Sequence, residues 1–160
     1  MAHPFFEQFL SPTTMLEAES ALIQMGNNAI PLLEALLNGE AKNDFGVPYR
    51  NLGLPLRCGL EAVIRLGEVA KPLEALLAAE LAKGQAVVAT ALGSLRSLNQ
   101  ASIDVLANSL DGDLDLAYEA ATALVHCNEA DNELVLSKIS ESKHASLLLF
   151  KARTLVASKP

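Results

Sequence analysis

Apolar residues recur at three- and four-residue intervals in MLEAESALIQM (Met15–Met25), LEAVIRL (Leu60–Leu66), VVATALGSL (Val87–Leu95) and LAYEAATALVHC (Leu116–Cys127). This spacing lays one apolar stripe along a helix, the face that would turn toward a core. The alternation of a half-buried strand is absent, so the pattern predicts an all-α protein. Breaks fall where helix ends need them. Ser11-Pro12 offers a cap and a first-turn proline, Gly26, Gly67 and Gly84 follow apolar runs, and Asp113 can accept from the amides that open another helix.

The breaks also repeat. MGNNAIPLLEALL from Met25 and LGEVAKPLEALLA from Leu66 each place a small break, then Ala and Pro, in the first turn of an apolar helix, and they superimpose at a spacing of 41 residues. Leu98-Asn99 follows Leu66-Gly67 by 32 residues, and Cys127-Asn128 follows after a further 29. Periods of about 30 to 40 residues built from two helices mark a solenoid, in which each repeat buries its apolar face against its neighbours. The expectation is a single domain over residues 1–160 with four helix pairs at about 12–38, 55–83, 85–110 and 113–140. First helices fall at about 12–25, 55–66, 85–98 and 113–127, second helices at about 28–38, 68–83, 100–110 and 129–140. Terminal helices at about 2–10 and 142–157 would cap the ends, where a repeat otherwise exposes its core face.

The segment DLDLAYEAATALVHCNEADNELVLSKI resembles the short HEAT-like repeat also found in phycobilin lyases: an Asp, an aliphatic three residues on, an Ala-rich stretch, Ala-Leu, a small break and an apolar second helix. AIPLLEALL and LRCGLEAVIRLGEVAKPLEALL are similar to its second-helix and first-helix segments. The resemblance covers residues 15–157 and implies a right-handed α-solenoid of about four HEAT-like antiparallel helix pairs plus capping helices. It also implies that the second helices line a concave, binding side. Such a repeat is a fold signature and leaves activity open.

Composition narrows the function. The chain has 12 Lys and Arg against 19 Asp and Glu, a net charge of −7, which argues against a phosphate-binding footprint on nucleic acid and favours a basic partner. Cys58 and Cys127 have no close partner in sequence, as suits a reducing compartment, and with no basic leader ahead of the apolar MAHPFFEQFL the expected location is cytoplasmic. No apolar run approaches the roughly 18 residues of a membrane span; even PLEALLAAELA is cut by Glu74 and Glu80.

No constellation argues for catalysis, a cofactor or a metal. His126-Cys127 would point about 100 degrees apart on a helix, and Cys127 sits at the core position filled by Met25, Leu66 and Leu98 in the other repeats. Cys58 lies near a helix start, where a thiol pKa can fall, yet reads as a small buried hydrophobe. His3, His126 and His144 are scattered, and EADNE (Glu129–Glu133) lacks the central Gly and distal Glu of a calcium loop, reading instead as an acidic helix start. Phe5, Phe6 and Phe9 read as the N-terminal cap.

Two features point to a binding surface. The second-helix segments hold Glu34, Glu68, Glu74, Glu80, Asp104, Glu129, Asp131 and Glu133 against Lys71, Lys83 and Lys138, so by the resemblance the concave side is acidic. The passage NDFGVPYRNLGLP (Asn43–Pro55) is the surplus that stretches one spacing to 41, an insertion of about ten residues, and solenoid insertions project together on one side. Its Phe45, Tyr49 and Arg50 are interface-anchor types, presented by X-Pro bonds that favour extended chain. Folding back to cover the core is the alternative for this loop.

The expected function is a non-catalytic module that binds another protein with a basic surface through the acidic face and the 43–55 loop, in its sharpest form an immunity or inhibitor protein for an effector. A phycobilin-lyase-like accessory handling a tetrapyrrole needs a polar and aromatic groove, for which seven Phe and Tyr and no Trp are few. A general assembly scaffold is a further alternative. A HEAT-like DNA glycosylase wants the opposite sign of charge.

Overall fold

A computed structural model of the chain describes residues 3–141 and 143–158. These residues are all-helical, and the one extended pairing among them is a single antiparallel bridge between Lys42 and Pro48. The chain forms two compact units, Met1–Leu76 and Leu77–Pro160.

The first unit holds α1 (Pro4–Gln8), α2 (Met15–Gln24), α3 (Ile30–Leu37) and α4 (Leu54–Leu66), with 3-10 turns at Gly26–Ala29, Tyr49–Leu52 and Gly67–Leu73. α5 (Glu74–Leu81) runs across the division between the units. α1 falls within the terminal helix expected at about 2–10 and is opened by Pro4 and by the His3 side chain accepting from the Phe5 N–H. It packs on α2, and α4 packs on both α2 and α3, around Phe6, Phe9, Leu22, Leu33, Leu36 and Leu60, all within 1 % of full burial. Burying one such side chain is worth about 1.5–3 kcal/mol, so this aromatic and leucine cluster is the main cohesive element of the unit.

The second unit holds α6 (Ala86–Ser94), α7 (Gln100–Ser109), α8 (Leu114–His126), α9 (Glu133–Glu141) and α10 (Lys143–Ser158). α8 packs on α6 and α10, α7 packs on α8 and α9, and α9 packs on α10. Small residues set the closest approach. A Cβ added at Gly93 would come within 2.9 Å of the Ala123 Cα and Cβ, so α6 and α8 touch almost backbone to backbone where Gly93 meets Ala123. The capping expectation holds at Asp113, whose Oδ1 accepts from the Leu116 N–H at 3.0 Å, and Asn99, expected as a break, caps a start as well, its Oδ1 accepting from the Ser102 N–H at 2.9 Å.

Several element boundaries differ from the sequence reading, among them the helix expected from about 129, which begins at Glu133 after turns through residues 129–132. The helix expected from residue 12 begins at Met15, because Ser11–Thr14 fold into turns closed by the Thr14 and Met15 N–H groups on the Ser11 carbonyl. The helix expected over 68–83 is a 3-10 turn followed by α5, since Pro72 has no N–H to give and the turn of Gly67–Leu73 precedes the α-helical bonds. The third break lies at Arg96, whose φ of 66° matches Gly26 (56°), Gly67 (61°) and Asn128 (58°), whereas Asn99 is extended and caps α7. The helix expected over 85–98 accordingly ends at Ser94.

Candidate partner-binding site

The inserted loop is a closed, hydrogen-bonded structure. Ala41 N–H donates to the Ala35 carbonyl on α3 at 2.9 Å and Tyr49 N–H donates to the Ala41 carbonyl at 3.0 Å, which pins both ends of the turn. Within it Asn43 does most of the folding. Its side-chain oxygen accepts from the Phe45 N–H at 2.9 Å and the Val47 N–H at 3.0 Å, while its own N–H donates to the Val47 carbonyl at 3.0 Å. Asn is suited to this because its short amide reaches backbone groups two residues on. Gly46 supplies the positive φ (80°) that reverses the chain. Phe45 stands at the tip with 90 % of its surface exposed, the most exposed large apolar side chain among the described residues.

The three expected anchors therefore have different places. Phe45 points to solvent. Tyr49 is fully buried: its ring lies 5.5 Å from that of Phe6, and its hydroxyl donates to Glu7 Oε2 at 2.5 Å while accepting from the His3 N–H at 3.0 Å. Burial, then the hydrogen bond to Glu7, pushes the Tyr49 hydroxyl above its ordinary pKa, and burial lowers that of His3. Arg50 is half-buried and donates from Nη1 to the Leu37 carbonyl at the end of α3. Tyr49 and Arg50 brace the loop from below, the core-covering alternative, and Phe45 alone of the three is displayed.

The acidic residues also divide by burial. In the first unit Glu34 on α3 and Glu68 on the Gly67–Leu73 turn are exposed, and these two elements pack together. Glu74 is buried and ion-paired with Lys71. In the second unit Asp104 on α7 and Glu133 on α9 are exposed on packed neighbours, and Asp131 is exposed and pairs with Arg153 at 2.9 Å. Glu129 is half-buried and accepts from the Asn132 side chain at 3.4 Å, and Glu80 is buried against Lys83 at 3.3 Å. Glu34 and Glu68 in the first unit, and Asp104, Asp131 and Glu133 in the second, are thus the carboxylates that face solvent.

Both cysteines are buried. The Cys127 sulfur donates toward the Gly93 carbonyl at 3.5 Å, in the tight α6–α8 contact. Cys58 sits in α4 beneath Glu19 and Glu61; burial first, then those carboxylates, push its thiol up, so the helix start does not activate it. Glu19, on α2, gave no signal in the sequence: it is buried, its carboxyl raised by burial against the opposing effect of Arg65 at 3.7 Å. Glu7 and His3, the partners of Tyr49, also gave no signal, since a contact 42 or 46 residues distant leaves no mark in local spacing. Among the described residues no three His, Cys, Asp or Glu come together to hold a metal ion, and no helix is long and apolar enough to cross a membrane. The chain matches no family model, no curated protein and no solved structure.

Proposed function

We propose that this chain is a non-catalytic binding module of HEAT-like helix pairs arranged as a right-handed α-solenoid, and that it takes a protein partner with a basic surface. The braced loop carries the reading: a 90 %-exposed Phe45 held on a turn with at least four internal hydrogen bonds is an apolar contact already ordered before binding. Aromatic side chains are enriched in interface cores, and an ordered loop loses less entropy on association than a mobile one. The stacking of α6, α8 and α10 beside α7 and α9, and of α2 beside α4, supports the repeat arrangement within each unit. Exposed acids on neighbouring second-helix elements, Glu34 with Glu68 and Asp104 with Glu133, favour a basic partner. An immunity or inhibitor protein that occludes a basic effector is the form of this function that fits a small acidic chain.

The test is capture of partners from native lysate on the immobilised chain, followed by titration of the captured protein. Truncating a central aromatic contact costs about 2 kcal/mol, roughly thirty-fold in affinity, so Phe45→Ala is expected to weaken the captured partner by that factor while leaving the fold intact. Equal affinity for wild type and Phe45→Ala would remove the loop from the function, and a captured partner with no basic surface would remove the charge argument.

A further inference from the structure

We infer that the N-terminal helix α1 is a latch that sets whether the inserted loop can display Phe45. This rests on the reading of the loop as a contact surface and assigns its regulation. α1 is five residues long, too short to persist by its own hydrogen bonds, so it stays helical through what it touches. What it touches is α2 and, through side chains, the loop. Phe6 and Tyr49 rings meet at 5.5 Å, Phe6 and Phe9 at 5.9 Å, and His3 lies 4.8 Å from Phe6. The polar half of the latch is one atom, the Tyr49 hydroxyl, which bonds Glu7 and the His3 backbone together.

The far side of Tyr49 is the loop itself. Its N–H closes the turn onto the Ala41 carbonyl, one residue from the Lys42–Pro48 bridge that frames Phe45. When α1 leaves, Tyr49 loses both partners of its hydroxyl and the cover of Phe6, and a fully buried Tyr is left facing water. The loop then keeps the Arg50 tie to the Leu37 carbonyl but loses the packing and hydroxyl bonds that hold Tyr49 at that end. With α1 docked, Phe45 is presented on a rigid turn; with α1 released, the turn opens and a partner must order it again, which lowers affinity. Anything that draws α1 away, such as a competing apolar groove or cleavage in the Leu10–Thr13 turns, would switch the loop off.

The prediction is a shared opening. Amides of α1 and its C-cap (Glu7 and Phe9) and of the loop (Asn43, Val47 and Tyr49) are each hydrogen-bonded, so their exchange reports opening of each segment separately. Hydrogen exchange of the full chain is compared with Glu7→Ala, which changes an exposed side chain, and with Tyr49→Phe, which keeps the ring. Losing a hydrogen bond to a charged group is expected to speed exchange about tenfold, and by the same factor in both segments for each variant. Faster exchange in α1 with an unchanged loop would overturn the latch, as would no change in either. A matching rise at Cys127 and Glu129 in the second unit would overturn it too, because the opening would then be global. No partner enters this measurement, so the latch can fail while the Phe45 interface stands, and the reverse.

Discussion

At the scale of single residues, Tyr49 shows how one side chain's surroundings separate roles that residue type leaves joined. Its hydroxyl is raised above the ordinary value near 10.0 by burial and by Glu7, so the folded chain keeps that proton at a pH where the unfolded chain releases it. Stability from this group is complete below about pH 10 and falls as pH climbs past it. Tyr49→Phe should cost about 1 kcal/mol in urea denaturation at pH 8, and the gap to wild type should narrow at pH 11, since phenylalanine has nothing to ionise. A constant gap at both values would contradict the buried-hydroxyl assignment. Sequence reasoning marked Phe45, Tyr49 and Arg50 as one set because all three are anchor types in one insertion. Their fates part on contacts with Glu7, His3 and Leu37, and such long-range partners leave no periodic trace.

At the scale of elements, the helices were legible because three- and four-residue apolar spacing is a local property, and α4, α7 and α8 begin and end within a residue or two of expectation. The third break was misplaced by three residues. Gly26 and Gly67 advertise their left-handed conformation, but Arg96 adopts it with a full side chain, and Asn99 nearby is the better-looking turn residue. A non-glycine residue in that region is strained by roughly 1–2 kcal/mol, partly offset in a glycine variant by the entropy glycine brings to the unfolded chain. Arg96→Gly is therefore expected to stabilise the protein by about 0.5–1 kcal/mol, read as a higher urea midpoint at unchanged slope. Gly93→Ala should act in the opposite sense. Its methyl would fall within 2.9 Å of the Ala123 backbone, and prising α6 from α8 should cost about 1–3 kcal/mol, seen as a lower melting temperature. An unchanged midpoint for Gly93→Ala would mean the two helices are not in the close contact described.

At the scale of the whole molecule, the sign of the net charge was readable from the sequence but its division between buried and exposed positions was not. Of the eight acids assigned to the second-helix segments, Glu74 and Glu80 are buried beside Lys71 and Lys83, where they serve the fold, and five are exposed. Composition counts all eight alike. The exposed carboxylates and Phe45 should act on different steps of association. Long-range attraction steers encounter and is screened as the Debye length drops from about 10 Å at 0.1 M salt to about 3 Å at 1 M. In the proposed interface Phe45 would act only after contact, by burying its ring. Raising salt should therefore slow the association rate of a basic partner by tenfold or more and leave dissociation nearly unchanged, whereas Phe45→Ala should speed dissociation and leave association nearly unchanged. Both are read in one surface-binding experiment, with the salt series run on each variant. An association rate indifferent to salt would take the exposed carboxylates of both units out of the proposal, and the loop would then have to account for recognition alone.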